Sequence, residues 1–368
     1  MNARVHAFLP AQPMPGQRSG ALAWLRGNLF SSLFNSLLTL VVAALLGLAL
    51  YHAFDWFLLY AVAPADLAAC NQVRGLGACW GVVSEKGRFI LMGRYPALEQ
   101  WRPVLATALM LATVLASCMP RFWNRRLPLM WALMLVVYFL LMKGGLLGLS
   151  PVDTDQWGGF PLTVMLTVIS MLLAFPLAIF VALGRRSDMP AIRTLCTLYV
   201  ELIRGVPLIT VLFMASFMLP LFMPEGVKID VMLRVVVGIT LFSAAYMAEV
   251  IRGGLQALPK GQAEAAVSLG LTYWQTQRLI ILPQALATVV PSIMNTFIGL
   301  FKDTSLVTIV SLYELTGALS LALNSDADWR PFKFEAYLFI TLIYFICCLA
   351  MSRYSLWIEK RTAISKVR

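Results

Sequence analysis

Residues 264–283 read Glu264-Ala265-Ala266-Val267-Ser268-Leu269-Gly270-Leu271-Thr272-Tyr273-Trp274-Gln275-Thr276-Gln277-Arg278-Leu279-Ile280-Ile281-Leu282-Pro283. The stretch is too polar to cross a membrane and too rich in helix formers to be a tether. Gly270 supplies a tight or left-handed turn at low steric cost. Residues 273–281 can form a second short helix, which Pro283 is expected to stop. The reading is a helix–turn–helix elbow. Ala265 and Ala266 keep its facing surface low for a close partner, and Glu264 offers a carboxylate to a basic or polar one.

Outward from the elbow the chain is strongly apolar. Of 368 residues, 60% are hydrophobic and 13% charged, about half the charged fraction of a soluble protein. Several runs reach the roughly 18–20 residues that cross a bilayer as helix, so the fold class is an all-α polytopic membrane protein. A β-barrel would show short alternating segments instead. The net charge of +11 does not signal nucleic acid, because the basic residues sit at span ends and in short loops facing anionic lipid.

About eight spans are expected, near 29–51, 104–119, 127–149, 160–183, 195–222, 231–250, 285–301 and 336–351. Residues 1–28, with Arg4, Arg18, Arg26 and three prolines, read as a disordered tail with no signal-peptide core. Residues 353–368 form a basic tail. Eight spans put both tails, the elbow loop (251–282) and the clusters Arg121/Arg125/Arg126 and Arg185/Arg186/Arg193 on one side, expected to be cytoplasmic. The loop 54–102 falls outside despite five basic residues, as long loops can. Residues 29–159 read as an accessory unit and 160–352 as a core. Pro176, Pro207, Pro220 and Pro291 are positioned to kink their spans.

The isolated His6 and His52 give no metal site. Cys118, Cys196, Cys347 and Cys348 read as packing residues. Cys70 and Cys79 share the long loop, either as a disulfide, if the loop is extracytoplasmic, or as two free thiols. Charges within spans face protein or water, since each costs at least about 2.5–3.5 kcal/mol in lipid. Glu201 and Arg204, and Glu249 and Arg252, are spaced i, i+3 and read as structural ion pairs. Lys302, Asp303, Thr304 and Ser305 end the seventh span, with Asn295 one to two turns earlier. They are candidates to line or gate a pathway, with packing as the alternative.

The spacing Glu-Ala-Ala-x3-Gly-x9-Ile-x-Leu-Pro resembles the cytoplasmic loop of binding-protein-dependent ABC importers. Glu201-Leu-Ile-Arg204-Gly-Val-Pro-Leu208, Phe242-Ser-Ala-Ala-Tyr246 with Ala248-Glu249-Val-Ile-Arg252-Gly-Gly254, and Phe301-Lys-Asp-Thr-Ser-Leu306 are similar to further segments of polar amino-acid permeases. Val206 stands where many relatives have Thr. Together these cover about 160–360, and the chain resembles the general L-amino-acid subtype with extra N-terminal spans. The two loop cysteines and Trp80 fit that subtype.

The resemblance implies a type I importer core in the last five spans and an inner-membrane location. Glu264, Ala265, Ala266, Gly270, Ile280, Leu282 and Pro283 would then form the loop that couples to an ATPase dimer. The partners it implies are that ATPase, a second and non-identical permease, a periplasmic amino-acid-binding protein and the lipid bilayer. No phosphate-binding glycine loop, zinc motif or nucleophile motif is visible in the chain, so ATP and Mg would belong to the ATPase and no catalytic residue is expected here. The competing classes are an ATP-independent secondary transporter of small polar solutes and a non-transporting scaffold.

Overall fold

The computed structural model describes residues 20–146 and 148–367, with side chains through Lys360. Most of the expected N-terminal tail, residues 1–19, lies outside the described residues, as do the side chains of Arg361, Lys366 and Arg368. Among the described residues the protein is helical, with isolated bridges and no strands. It divides into two compact units, residues up to 62 with 68–79, and 63–67 with 80 onward.

The first unit begins with α1 (Ala21–Asn28) and α2 (Leu33–Phe54), which continues through a wide-turned stretch, Asp55–Leu59. The expected disordered tail therefore ends in a helix. Ser32 caps α2 by accepting the Asn35 N–H at 3.2 Å, the short hydroxyl satisfying one of the orphan donors of a helix start. The span Leu33–Leu59 is strongly apolar and has none of its residues buried. After α3 (Leu67–Gln72), Cys70 and Cys79 are joined in a disulfide. That loop is pinned to the end of the span by Ala78 N–H donating to the Trp56 carbonyl (2.8 Å) and Val62 N–H to the Ala78 carbonyl (2.9 Å).

The second unit holds α4 (Gly81–Met92), α5 (Trp101–Cys118), α6 (Leu127–Lys143), α7 (Gly159–Gly184), α8 (Pro190–Arg204), α9 (Leu208–Phe213) and α10 (Val231–Gln256). It continues with α11 (Gly261–Ser268), α12 (Tyr273–Thr276), α13 (Leu282–Asp303), α14 (Leu315–Asn324) and α15 (Lys333–Val367). The core lies where α7, α10 and α13 meet, and the small residues Ala174, Ala178, Ala244, Ala245, Ala248 and Ala285 are all fully buried there. Without a hydrophobic drive between helices in lipid, such residues let backbones approach and gain dispersion contacts. At Gly254 on α10 an added Cβ would lie 2.6 Å from Val289 and 2.8 Å from the Ala285 carbonyl of α13.

Six stretches are long and apolar enough to span, and the pair Pro190–Arg204 and Leu208–Phe222 makes a seventh if counted as one. The 17-residue α6 is the remaining expected span. It stops at Lys143 rather than near 149, because Gly144 and Gly145 both take positive φ, which carries the chain out of the helix.

Two expectations are corrected. The fifth span is not one helix, since its halves meet at 104°. Pro207 has no N–H to donate and keeps its predecessor out of helical geometry. Pro283 does not stop the second elbow helix, because the wide turn Gln277–Ile281 carries the chain directly into α13, of which Pro283 is the second residue. Helical structure thus runs from Tyr273 to Val310. The break between the two compact units lies near residue 80, so α4, α5 and α6 belong to the same unit as α7 onward. Tyr138 of α6 donates to the Pro161 carbonyl of α7 (3.1 Å), and Lys86 of α4 bonds Asp326 after α14 at 2.7 Å, a contact that holds the Asp326 carboxyl below the usual range.

Candidate coupling elbow and its ionic anchor

The elbow is specified by four consecutive residues. Leu269 ends α11, and Gly270 follows at φ 78, a conformation that side chains strain. The Gly270 N–H donates to the Val267 carbonyl (2.9 Å) and the Leu271 N–H to the Ala266 carbonyl (3.2 Å). These are the two bonds of a Schellman ending, which satisfy the orphan carbonyls of the last turn. Thr272 then starts α12 with a reciprocal cap. Its N–H donates to Gln275 Oε1 at 2.9 Å, and its Oγ1 accepts the Gln275 N–H at 3.4 Å. No atom outside the immediate chain lies within 4 Å of a Cβ placed on Gly270.

The two alanines of the motif face opposite ways. Ala266 is 1% exposed and anchors α11, whereas Ala265 and Glu264 are exposed. Val267 (67%), Leu269 (80%) and Trp274 (62%) stand out as apolar surface beside them. Ile280 and Leu282 are half-buried, and Ile281, outside the motif, is buried. Residues Gln277–Ile281 form one wide, five-residue turn that feeds α12 into α13.

Beside the elbow, Arg185 at the end of α7 binds Glu201 of α8 at 2.8 Å and Glu249 of α10 at 2.6 Å. Arg252 bonds Glu249 through Nε at 3.0 Å, while Arg204 lies 3.8 Å from Glu249 and 5.5 Å over the Tyr246 ring. The i, i+3 pair Glu249–Arg252 is therefore present. Glu201–Arg204 is not, because both members find partners on other helices. Arg186 donates to the Leu255 carbonyl at 3.0 Å, a cation at the negative end of α10. The arginines after α7 signalled orientation in the sequence, but nothing in their spacing named partners some sixteen and sixty-four positions away.

The candidate pathway residues do not form one face. Asn295 and Lys302 are exposed, Asp303 and Ser305 half-buried, and Thr304 is fully buried with its hydroxyl on the Phe301 carbonyl (2.8 Å). All but Asn295 lie at the end of α13 opposite the elbow.

Among the described residues, two fully buried charges carried no signal in the sequence. Glu314 caps α14, taking the N–H groups of Thr316 (2.8 Å) and Gly317 (3.0 Å) on one oxygen and the hydroxyls of Tyr344 (2.8 Å) and Thr163 (3.2 Å) on the other. Arg102, fully buried, donates to the carbonyls of Leu141 (2.6 Å) and Ser150 (2.9 Å) and pairs with Glu99 at 2.9 Å. A Glu before a ten-residue helix and an Arg in a charged loop carry no spacing signal.

Residues 174–364 match the family described as "Binding-protein-dependent transport system inner membrane component". The chain belongs to this family. As a member of it, the chain is similar along nearly its whole length to two curated permeases. It is 46% identical over 360 residues to the inner membrane amino-acid ABC transporter permease protein YhdY of Escherichia coli, and 38% identical over 419 to the glutamate/glutamine/aspartate/asparagine transport system permease protein BztC of Rhodobacter capsulatus. In both cases 96% of each chain is covered. A crystal structure of an amino acid ABC transporter with histidines is 32% identical, with a TM-score of 0.49 over 55% of this chain and 92% of that one.

Proposed function

We propose that the chain is the membrane permease of an ATP-driven importer of L-amino acids of broad specificity, coupled to its ATPase through residues 264–283. The observation that carries this reading is the elbow. Its turn is fixed by backbone and cap bonds, its outer face shows Glu264, Ala265 and exposed apolar side chains, and its far arm enters α13 without a break. A displacement of such an elbow is passed along α13 as along a rod. The relatives named above support amino acids as cargo and an importer as the machine.

In this reading an ATPase dimer holds ATP and Mg and closes on them. The elbows follow, and the cores turn from facing the cytoplasm to facing the binding protein. The elbow end and both termini are cytoplasmic. Two permease cores, the second non-identical, enclose one pathway.

The test is stimulated ATPase and uptake by the reconstituted complex with its binding protein, for wild type against Gly270→Asp. The position is open, so the spans should insert, while a charged side chain forced into positive φ spoils the docking face. Both activities are expected to fall at least tenfold, equivalent to about 1.4 kcal/mol of lost coupling. Uptake that survives would remove the coupling role and bring the ATP-independent transporter forward. The composition of the same complex should show two permease species; a single species would refute the non-identical sister.

A further inference from the structure

At the end of the bundle opposite the elbow, α4, α5 and α15 enclose an open groove of about 520 Å³, within the range of pockets that hold small ligands. Its walls are Val83, Leu91, Met92, Val104 and Phe339. Gly87 also lines it and puts no side chain into the space. A Cβ there would touch only Val83, at an ordinary 3.6 Å. Glycine inside a helix costs up to about 1 kcal/mol relative to alanine, so α4 gives up helix stability where it lines the groove.

The rim is polar. Arg88 donates Nε to Gln100 and Nη2 to the Ala97 carbonyl at 2.7 Å. These bonds hold the guanidinium plane while Nη1 has no protein acceptor among the described residues. Trp101, half exposed, stands beside it at the first residue of α5. A tryptophan at the start of a span marks the boundary between hydrocarbon and headgroups, and Val104, one turn further along the span, is also exposed. The groove therefore opens where an acyl chain and a phosphate lie one above the other.

We infer that this groove binds one phospholipid molecule, with an acyl chain along Gly87, Val104 and Phe339 and its phosphate on Nη1 of Arg88. The guanidinium is oriented in advance by Gln100 and Ala97, so it binds phosphate at a lower ordering cost. The inference rests on the groove between α4, α5 and α15 and stands apart from the proposed coupling.

The experiment is native mass spectrometry with phosphorus analysis of the full-length protein, purified in mild detergent and washed. Wild type is expected to retain one phospholipid per chain. Gly87→Leu, which fills the groove, should lower retention about tenfold. Arg88→Ala should abolish the preference for a phospholipid over a diacylglycerol without phosphate, and Arg88→Lys should restore part of it. If Gly87→Leu fails to fold, Val104→Trp blocks the same groove from the α5 side. Equal retention by wild type and the groove-filling variant would mean annular lipid only and overturn the site. Wild type free of phospholipid would overturn it as well.

Discussion

The two ends of the α7–α10–α13 bundle are fastened in different ways. Opposite the elbow, backbones touch. A Cβ on Gly159 would lie 2.1 Å from the Leu91 carbonyl, one on Gly158 2.7 Å from the Tyr313 carbonyl, and one on Gly93 2.6 Å from Gly158. Glu314 and Arg102 are sealed among fixed donors and acceptors nearby. At the elbow end one close approach remains, with a Cβ on Gly254 2.8 Å from the Ala285 carbonyl, and beside it stands a group of partly exposed ion pairs around Arg185 and Glu249, next to a turn with open space around it. Backbone contacts and buried hydrogen bonds hold one geometry. Several arginines on two carboxylates can exchange partners at small cost, since exposed pairs contribute only about 0–1 kcal/mol each. The contrast suits a part anchored at one end and driven at the other.

The largest break in this contrast would come from Gly159→Val. A branched side chain there meets backbone, and φ is 60, so the cost should exceed about 3 kcal/mol. The expected readout is loss of monodisperse protein in size-exclusion chromatography, and a variant melting like wild type would erase the difference between the ends. Next comes Glu314→Ala, which removes the acceptor of two N–H groups and three hydroxyls, those of Thr163, Thr308 and Tyr344. Thermal melting should report about 2–4 kcal/mol of lost stability; a loss below 1 would show that water replaces the carboxylate. The smallest effect belongs to Arg185→Ala. Glu249 keeps Arg252 and Arg204, and Glu201 is largely exposed, so roughly 1 kcal/mol is expected in the same assay. A loss as large as that of Glu314→Ala would mean the elbow end is as rigid as the other.

The sequence made the elbow legible because its bonds are local. Gly270, Thr272 and Gln275 act within four residues of one another, and helix propensity and capping are properties of neighbours. The spans were legible because hydropathy is additive along the chain. What stayed hidden depends on partners distant in sequence. Glu201 and Arg204 have the spacing of a pair, yet Arg185 and Glu249 compete for them from other helices. The 104° break needed the knowledge that Gly205-Val206-Pro207 offers no continuation. Helix α14 is ten residues long and apolar, too short to register as a span. The break between compact units near residue 80 carries no motif, because it depends on how α4, α5 and α6 pack against the core.

The wide turn at Gln277–Ile281 gives the motif's spacing a geometric meaning. Each residue winds a helix by about 100°, and a five-residue turn holds one more residue than ordinary winding would. Loss of a single codon within it would close the bulge to ordinary winding and leave the arms on either side in nearly the same phase. Loss of a codon from α12 instead would turn Val267, Leu269 and Trp274 by about 100° about the axis of α13, with every span intact. The nine residues between Gly270 and Ile280 therefore count phase as well as length.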